Sequence, residues 1–250
     1  MQDRIEKAPF LMQNKMSFED KSSPYYYRPI MLCSDVEAAK KVAPDIKDTE
    51  KWMQIVMHEY FHAFQFNHKS TINYLADSIE VRSDSLDFFY LNHKWFSESI
   101  DKENEYLLKA INSTSIDSLH YFVSEFTKKR TKRRQEFQLM FPFDISQSEK
   151  FWEKIEGSAR YVEYNMEYIY SDENLEFVNM TCDTLFNKFN DYVNHNFIDS
   201  PASYANTKII PAYYYYMTGF NLCRVLDKLK VNYQDKLFDN TAKGLEDYLR

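Results

Sequence analysis

His58, Glu59, Tyr60, Phe61 and His62 stand in the order HExxH. Two imidazoles four residues apart are turned by about 400° along a helix, so they share one face and can grip a single metal ion. The glutamate between them is rotated by about 100° from the first histidine. That sets its carboxylate beside the ion rather than on it, where it can take a proton from an attacking water. Such chemistry needs a helix beneath it. The stretch DTEKWMQIVMHEYFHAFQFNHK has a capping aspartate, acids in its first turn and no breaker, and predicts a helix over 48–68. Trp52, Met53, Phe61 and Phe64 are expected to form its buried side. The alternative, two core histidines with a glutamate as partner, would strand several polar groups in the interior.

A catalytic zinc needs a third protein ligand and an open position for water. Two residues compete for that role. His68 extends the pattern to HExxHxxxxxH, which superficially resembles the metzincin metallopeptidases. In that family a glycine three residues before the last histidine turns the chain back, and here that position is Gln65. If the helix runs on, His68 is turned by about 240° from His62 and points away. The rival is Glu156, followed by Gly157, Ser158 and Ala159. Small residues beside a ligand let one helix approach another closely.

HExxH followed by a helix reading EGxAxYxE resembles the gluzincin metallopeptidases, among them the zinc aminopeptidases. The resemblance covers two short segments and implies His58, His62 and Glu156 as zinc ligands and Glu59 as the catalytic base. It implies a zinc-dependent metallopeptidase, a metallohydrolase acting on a peptide or protein substrate. The GxMEN segment by which the aminopeptidases hold a free N-terminus is missing, so aminopeptidase specificity does not follow. The stretch between His62 and Glu156 is longer than in the aminopeptidases, which implies a helical insertion. Glu163, two turns beyond Glu156 on the same face, can orient a ligand histidine, bind a substrate amine or lie at the surface. Gluzincins often steady the oxyanion with a Tyr or His. Among Tyr213, Tyr214, Tyr215 and Tyr216, Tyr216 is the first candidate, with ordinary aromatic packing as the alternative.

The rest of the chain must position these groups. Three glycines among 250 residues leave few hairpin turns and no phosphate-cradling loop, so a mainly helical fold is expected. Further helices are expected near 73–92, 98–111, 115–139, 148–170, 174–194, 210–230 and 234–249. Residues 1–48, rich in proline, read as irregular with one or two short strands. No seam or repeat divides the chain, so one zincin-like domain over 1–250 is expected. A formal net charge of −7 argues against a nucleic-acid partner. KKRTKRR at 128–134 reads as the solvated face of a long helix. There is no run of about eighteen apolar residues to span a membrane, and the N-terminus does not read as a signal peptide. Cys33, Cys182 and Cys223 show no CxxC spacing and read as free thiols. His93, His120 and His195 read as isolated surface or capping residues. A different class stays open beside the peptidase: a non-catalytic helical binding protein with a structural metal or none.

Overall fold

A computed structural model describes residues 12–15, 17, 20–24, 30–42, 46–172, 184–186, 214–240 and 242–249. These residues are mainly α-helical, with a small β element near the N-terminus. None of their helices is long and apolar enough to cross a membrane. The chain folds as two compact units, Met1–Lys69 with Val162–Asn196, and Ser70–Tyr161 with Phe197–Arg250. The helix expected at 174–194 lies outside the described residues apart from 184–186.

In the first unit, strands β1 (Met12–Lys15) and β2 (Ile30–Cys33) pair antiparallel, with Met12 opposite Cys33 and Lys15 opposite Ile30. A short helix α1 (Val36–Val42) leads to α2 (Thr49–Phe66), which packs against both strands. The Asp48 carboxylate accepts from the Lys51 amide at 2.7 Å and caps α2, as the sequence pattern predicts. The indole of Trp52 donates to the Ser34 carbonyl at 2.9 Å and ties the helix to the segment after β2. The buried face of α2 is not the expected aromatic one. Its buried residues are Thr49, Glu50, Gln54, His58, His62 and Gln65, while Phe64 is 50% exposed and Phe61 only half-buried. A stripe at four-residue spacing turns inward, where His58 meets Glu163 and His62 meets Gln65, and Phe61 stacks on Phe64 instead.

Most remaining helices lie in the second unit: α3 (Lys69–Ser78), α4 (Ser83–Asn92), α5 (Lys94–Ile111), α6 (Ile116–Met140) and α7 (Ser146–Trp152). A π-helical turn, Glu153–Gly157, joins α7 to α8 (Ser158–Asp172), and α9 (Tyr214–Lys228) follows. Helices α5 and α6 form a hairpin, and α9 packs on α5 and on the π turn. Leu86, Phe96, Ile100, Phe137 and Tyr214 centre an apolar core into which Phe89 also packs, edge-on to Phe137 at 4.8 Å.

Two expected helices come out differently. The span 73–92 is broken between α3 and α4, where Val81 is buried and its amide donates to the Ser148 hydroxyl at 3.2 Å. The span 234–249 holds only two 3-10 turns, Gln234–Lys236 and Leu245–Tyr248. The buried ammonium of Lys154 draws in the carbonyls of Lys243 and Asn240, at 3.0 and 3.3 Å, which a continuous helix would have kept for itself. Burial pushes that ammonium down to about 8.

The basic run at 128–134 is not a solvated face. Lys128, Lys129 and Lys132 face outward, but Arg130, Arg133 and Arg134 turn inward onto four glutamates. Arg130 grips Glu153 with two nitrogens at 2.7 and 2.8 Å and also reaches Glu103 and Glu246. Arg133 bridges Glu103 and Glu149, at 2.6 and 2.7 Å, and Arg134 bridges Glu149 and Glu246, at 2.7 and 2.6 Å. Forked guanidinium–carboxylate pairs satisfy charges that could not be buried singly.

Candidate metal centre

Helix α2 aims both histidines of the HExxH motif inward. His58 Nδ1 lies 2.5 Å from a Glu163 oxygen, and His62 Nδ1 lies 2.7 Å from the Gln65 side-chain oxygen. Oxygen acceptors on both Nδ1 edges place the protons there and leave the two Nε2 atoms with lone pairs. Those atoms face each other at 2.9 Å, with the rings nearly perpendicular. Two lone pairs so close repel unless a proton or a cation is shared between them. His58, His62 and Glu163 are all buried, and Glu59 is half-buried on the adjoining side of α2. Gln65 stays helical, since among the described residues only Lys230 has positive φ outside glycine. With no reversal at Gln65, α2 ends at Phe66 and the His68 ring rests edge-on against Phe64 at 5.3 Å.

Glu156 rides on the π turn between α7 and α8. A Cβ on Gly157 would lie 2.4 Å from the Gly219 Cα, and one on Gly219 would lie 2.3 Å from the Glu153 carbonyl oxygen. Two of the chain's three glycines thus make one crossing of backbone on backbone, between the π turn and α9. The small residue after Glu156 does serve a close approach, but here the element it meets is α9. The Ser158 hydroxyl donates to the Lys154 carbonyl at 2.5 Å and helps satisfy the widened turn. Glu153, at the start of the same turn, is held by Arg130 and by the Thr218 hydroxyl at 2.6 Å. π turns of this kind recur at functional sites.

His58, His62 and Glu156 each offer one ligand atom, and these atoms all lie within 4.8 Å of one another. Among the described residues no other group of histidine, cysteine or acidic side chains meets in this way, and His68 is not part of it. Two imidazole nitrogens and one carboxylate oxygen form a donor set suited to zinc. Tyr216 lies in the first turn of α9, half-buried against the apolar core and beside Tyr215 at 5.5 Å. Pro211 and Tyr213 lie outside the described residues, as do Cys182 and His195. The thiol of Cys223 is buried and pushed up to about 12, so it is inert. His93 packs among Phe88, Phe89 and Phe141, and His120 is exposed.

Sequence reasoning missed Gln65 as a partner for His62, although its place three residues on along the same helix was a usable signal. It missed the clamp on Glu153 and the carboxyl of Asp87, since neither long-range burial nor long-range pairing leaves a local pattern. Burial pushes Asp87 up to about 8, with Asp84 and Glu156 adding to the effect. Comparison with protein families, with curated proteins and with solved structures finds no match to this chain.

Proposed function

We propose that the chain is a zinc-dependent metallopeptidase that hydrolyses peptide bonds, with His58, His62 and Glu156 as metal ligands and Glu59 as general base. The observation that carries this reading is the meeting of those three ligand atoms, with the outer edge of each imidazole engaged by an oxygen acceptor. When bound, zinc supplies a Lewis acid that acidifies water and polarises a carbonyl. The chain's own groups do the rest. Glu163 and Gln65 fix the tautomer and tilt of the two imidazoles. Glu59 accepts a proton from the attacking water and passes it to the leaving amine. Tyr216 is assigned to donate a hydrogen bond to the oxyanion that develops on the carbonyl. The helical conformation of Gln65 favours Glu156 over His68 as third ligand.

Metal analysis of the purified protein, with hydrolysis of a mixed peptide pool read by mass spectrometry, tests the proposal. The expected result is one zinc per chain in the wild type and in Glu59→Gln, and loss of zinc in Glu156→Ala with His68→Ala unaffected. Turnover should fall by about 10²–10⁴-fold in Glu59→Gln and by about 10²–10³-fold in Tyr216→Phe. Full turnover in Glu59→Gln, or a wild-type protein that takes up no metal, overturns the assignment and leaves a helical binding protein.

A further inference from the structure

Close to the proposed metal ligand, the second unit holds a carboxyl that nothing answers. Asp87 on α4 is 5% exposed, and neither of its oxygens has a hydrogen-bond partner among the described residues. Among the described residues, the charges that raise its pKa are those of two acids: Asp84, one turn earlier on α4, and Glu156. The indole nitrogen of Trp152, one turn before Glu156, is likewise buried and unpartnered. Unanswered buried polar groups are rare and destabilising, and one of them beside a ligand carboxylate points to something the site is built to receive. Asp84 also lines an open recess of about 540 Å³, together with Glu80, Phe88, Phe89 and Phe143. Acids and aromatic rings around a recess of that size suit a positively charged group on an apolar stem.

We propose that Asp87 is a specificity-determining residue that receives a cationic nitrogen group of the substrate beside Glu156. The inference rests on the metallopeptidase reading above. Two sources share this chemistry, a free α-ammonium and the head of a lysine or arginine side chain. Either would draw the proton off the buried Asp87 carboxyl and pair with the carboxylate left behind, beside the acids Asp84 and Glu156, which a neutral group cannot do. The free indole N–H of Trp152 would meet a carbonyl of the same substrate.

Titration calorimetry on the zinc-loaded protein separates the sources with four probes. Arginine amide carries both cationic groups, N-acetylarginine amide only the guanidinium, alanine amide only the ammonium, and N-acetylalanine amide neither. The expected result is binding of at least one cationic probe, at least tenfold tighter than the neutral one. Asp87→Asn should weaken that binding tenfold or more at unchanged metal content. Retention by N-acetylarginine amide names the side chain as the source, and retention by alanine amide names the chain terminus. Equal affinity in wild type and Asp87→Asn, or no preference for the cationic probes, overturns the proposal. So does an Asp87→Asn protein that melts at a higher temperature while binding the probes unchanged, because the carboxyl is then only a buried defect. If the wild type holds no zinc, the metallopeptidase reading falls, and the same titrations on the metal-free protein still decide the role of Asp87.

Discussion

The oxygen acceptors on the far edges of His58 and His62 decide how well those rings can serve a metal. Partners of that kind are worth about 10–100-fold in metal affinity. Glu163→Ala and Gln65→Ala should each weaken zinc binding by about that factor, read by competition with a chromophoric chelator, while thermal melts stay cooperative. Glu163→Gln keeps an acceptor but loses the charge, and should fall between Glu163→Ala and wild type. A Glu163→Ala protein with wild-type affinity would show that the 2.5 Å contact to His58 does nothing for the metal. At this scale the sequence was a good guide to the histidines, because four-residue spacing on a capped helix has one geometric outcome. It was a poor guide to α2's other residues. Hydrophobicity assigned Phe61 and Phe64 to the interior, yet the inward stripe is polar, since Glu50, Gln54 and Gln65 sit on the same face as the histidines.

Among the elements, the π turn that carries Glu156 is held from two sides. Arg130 and Thr218 grip Glu153 at its start, and the α9 backbone presses on Gly157 at its end. A methyl group on Gly219 would meet the Glu153 carbonyl at 2.3 Å, and both contacting groups are backbone, so no rotamer change relieves it. Gly219→Ala should therefore destabilise the fold by about 1–3 kcal/mol and release zinc beyond what that loss explains. The check is zinc content and denaturant midpoint measured on one preparation. A variant that loses stability but keeps full zinc affinity would show that the crossing supports the fold without setting Glu156. The long helices α2 and α6 could be read from pattern alone, within a residue or two at their ends. The π turn could not, because an inserted residue inside a helix comes from a tertiary contact between two glycines far apart in sequence. The same holds for 234–249, where Lys154 captures the carbonyls.

Across the whole molecule, the interior charge network governs the response to acid. The paired arginines hold Glu149 well below the usual carboxylate range and Glu246 at about 2, against desolvation that works the other way. An unfolded glutamate titrates near about 4.3, so the stabilisation from this pairing is complete above that value. It is lost as pH falls through the folded value, and the denaturant midpoint should drop steeply between about pH 4 and pH 2. Glu153 is shifted upward, chiefly by burial, and so works against the drop. Arg133→Met leaves Glu103 and Glu149 short of a partner and should cost about 3–5 kcal/mol, measured by urea unfolding at neutral pH. A loss under about 1 kcal/mol would mean that Arg130 and Arg134 alone suffice to compensate those acids. None of this could be foreseen from the basic run itself, since whether an arginine faces water or acid is settled by residues on α5, α7 and near the C-terminus. The glycine crossing has a consequence of another kind. Where two main chains touch, substitution has no latitude, so the two positions become a fingerprint. Distant kin should betray themselves by a glycine straight after a glutamate and a second one in a later helix, even when hardly another letter agrees.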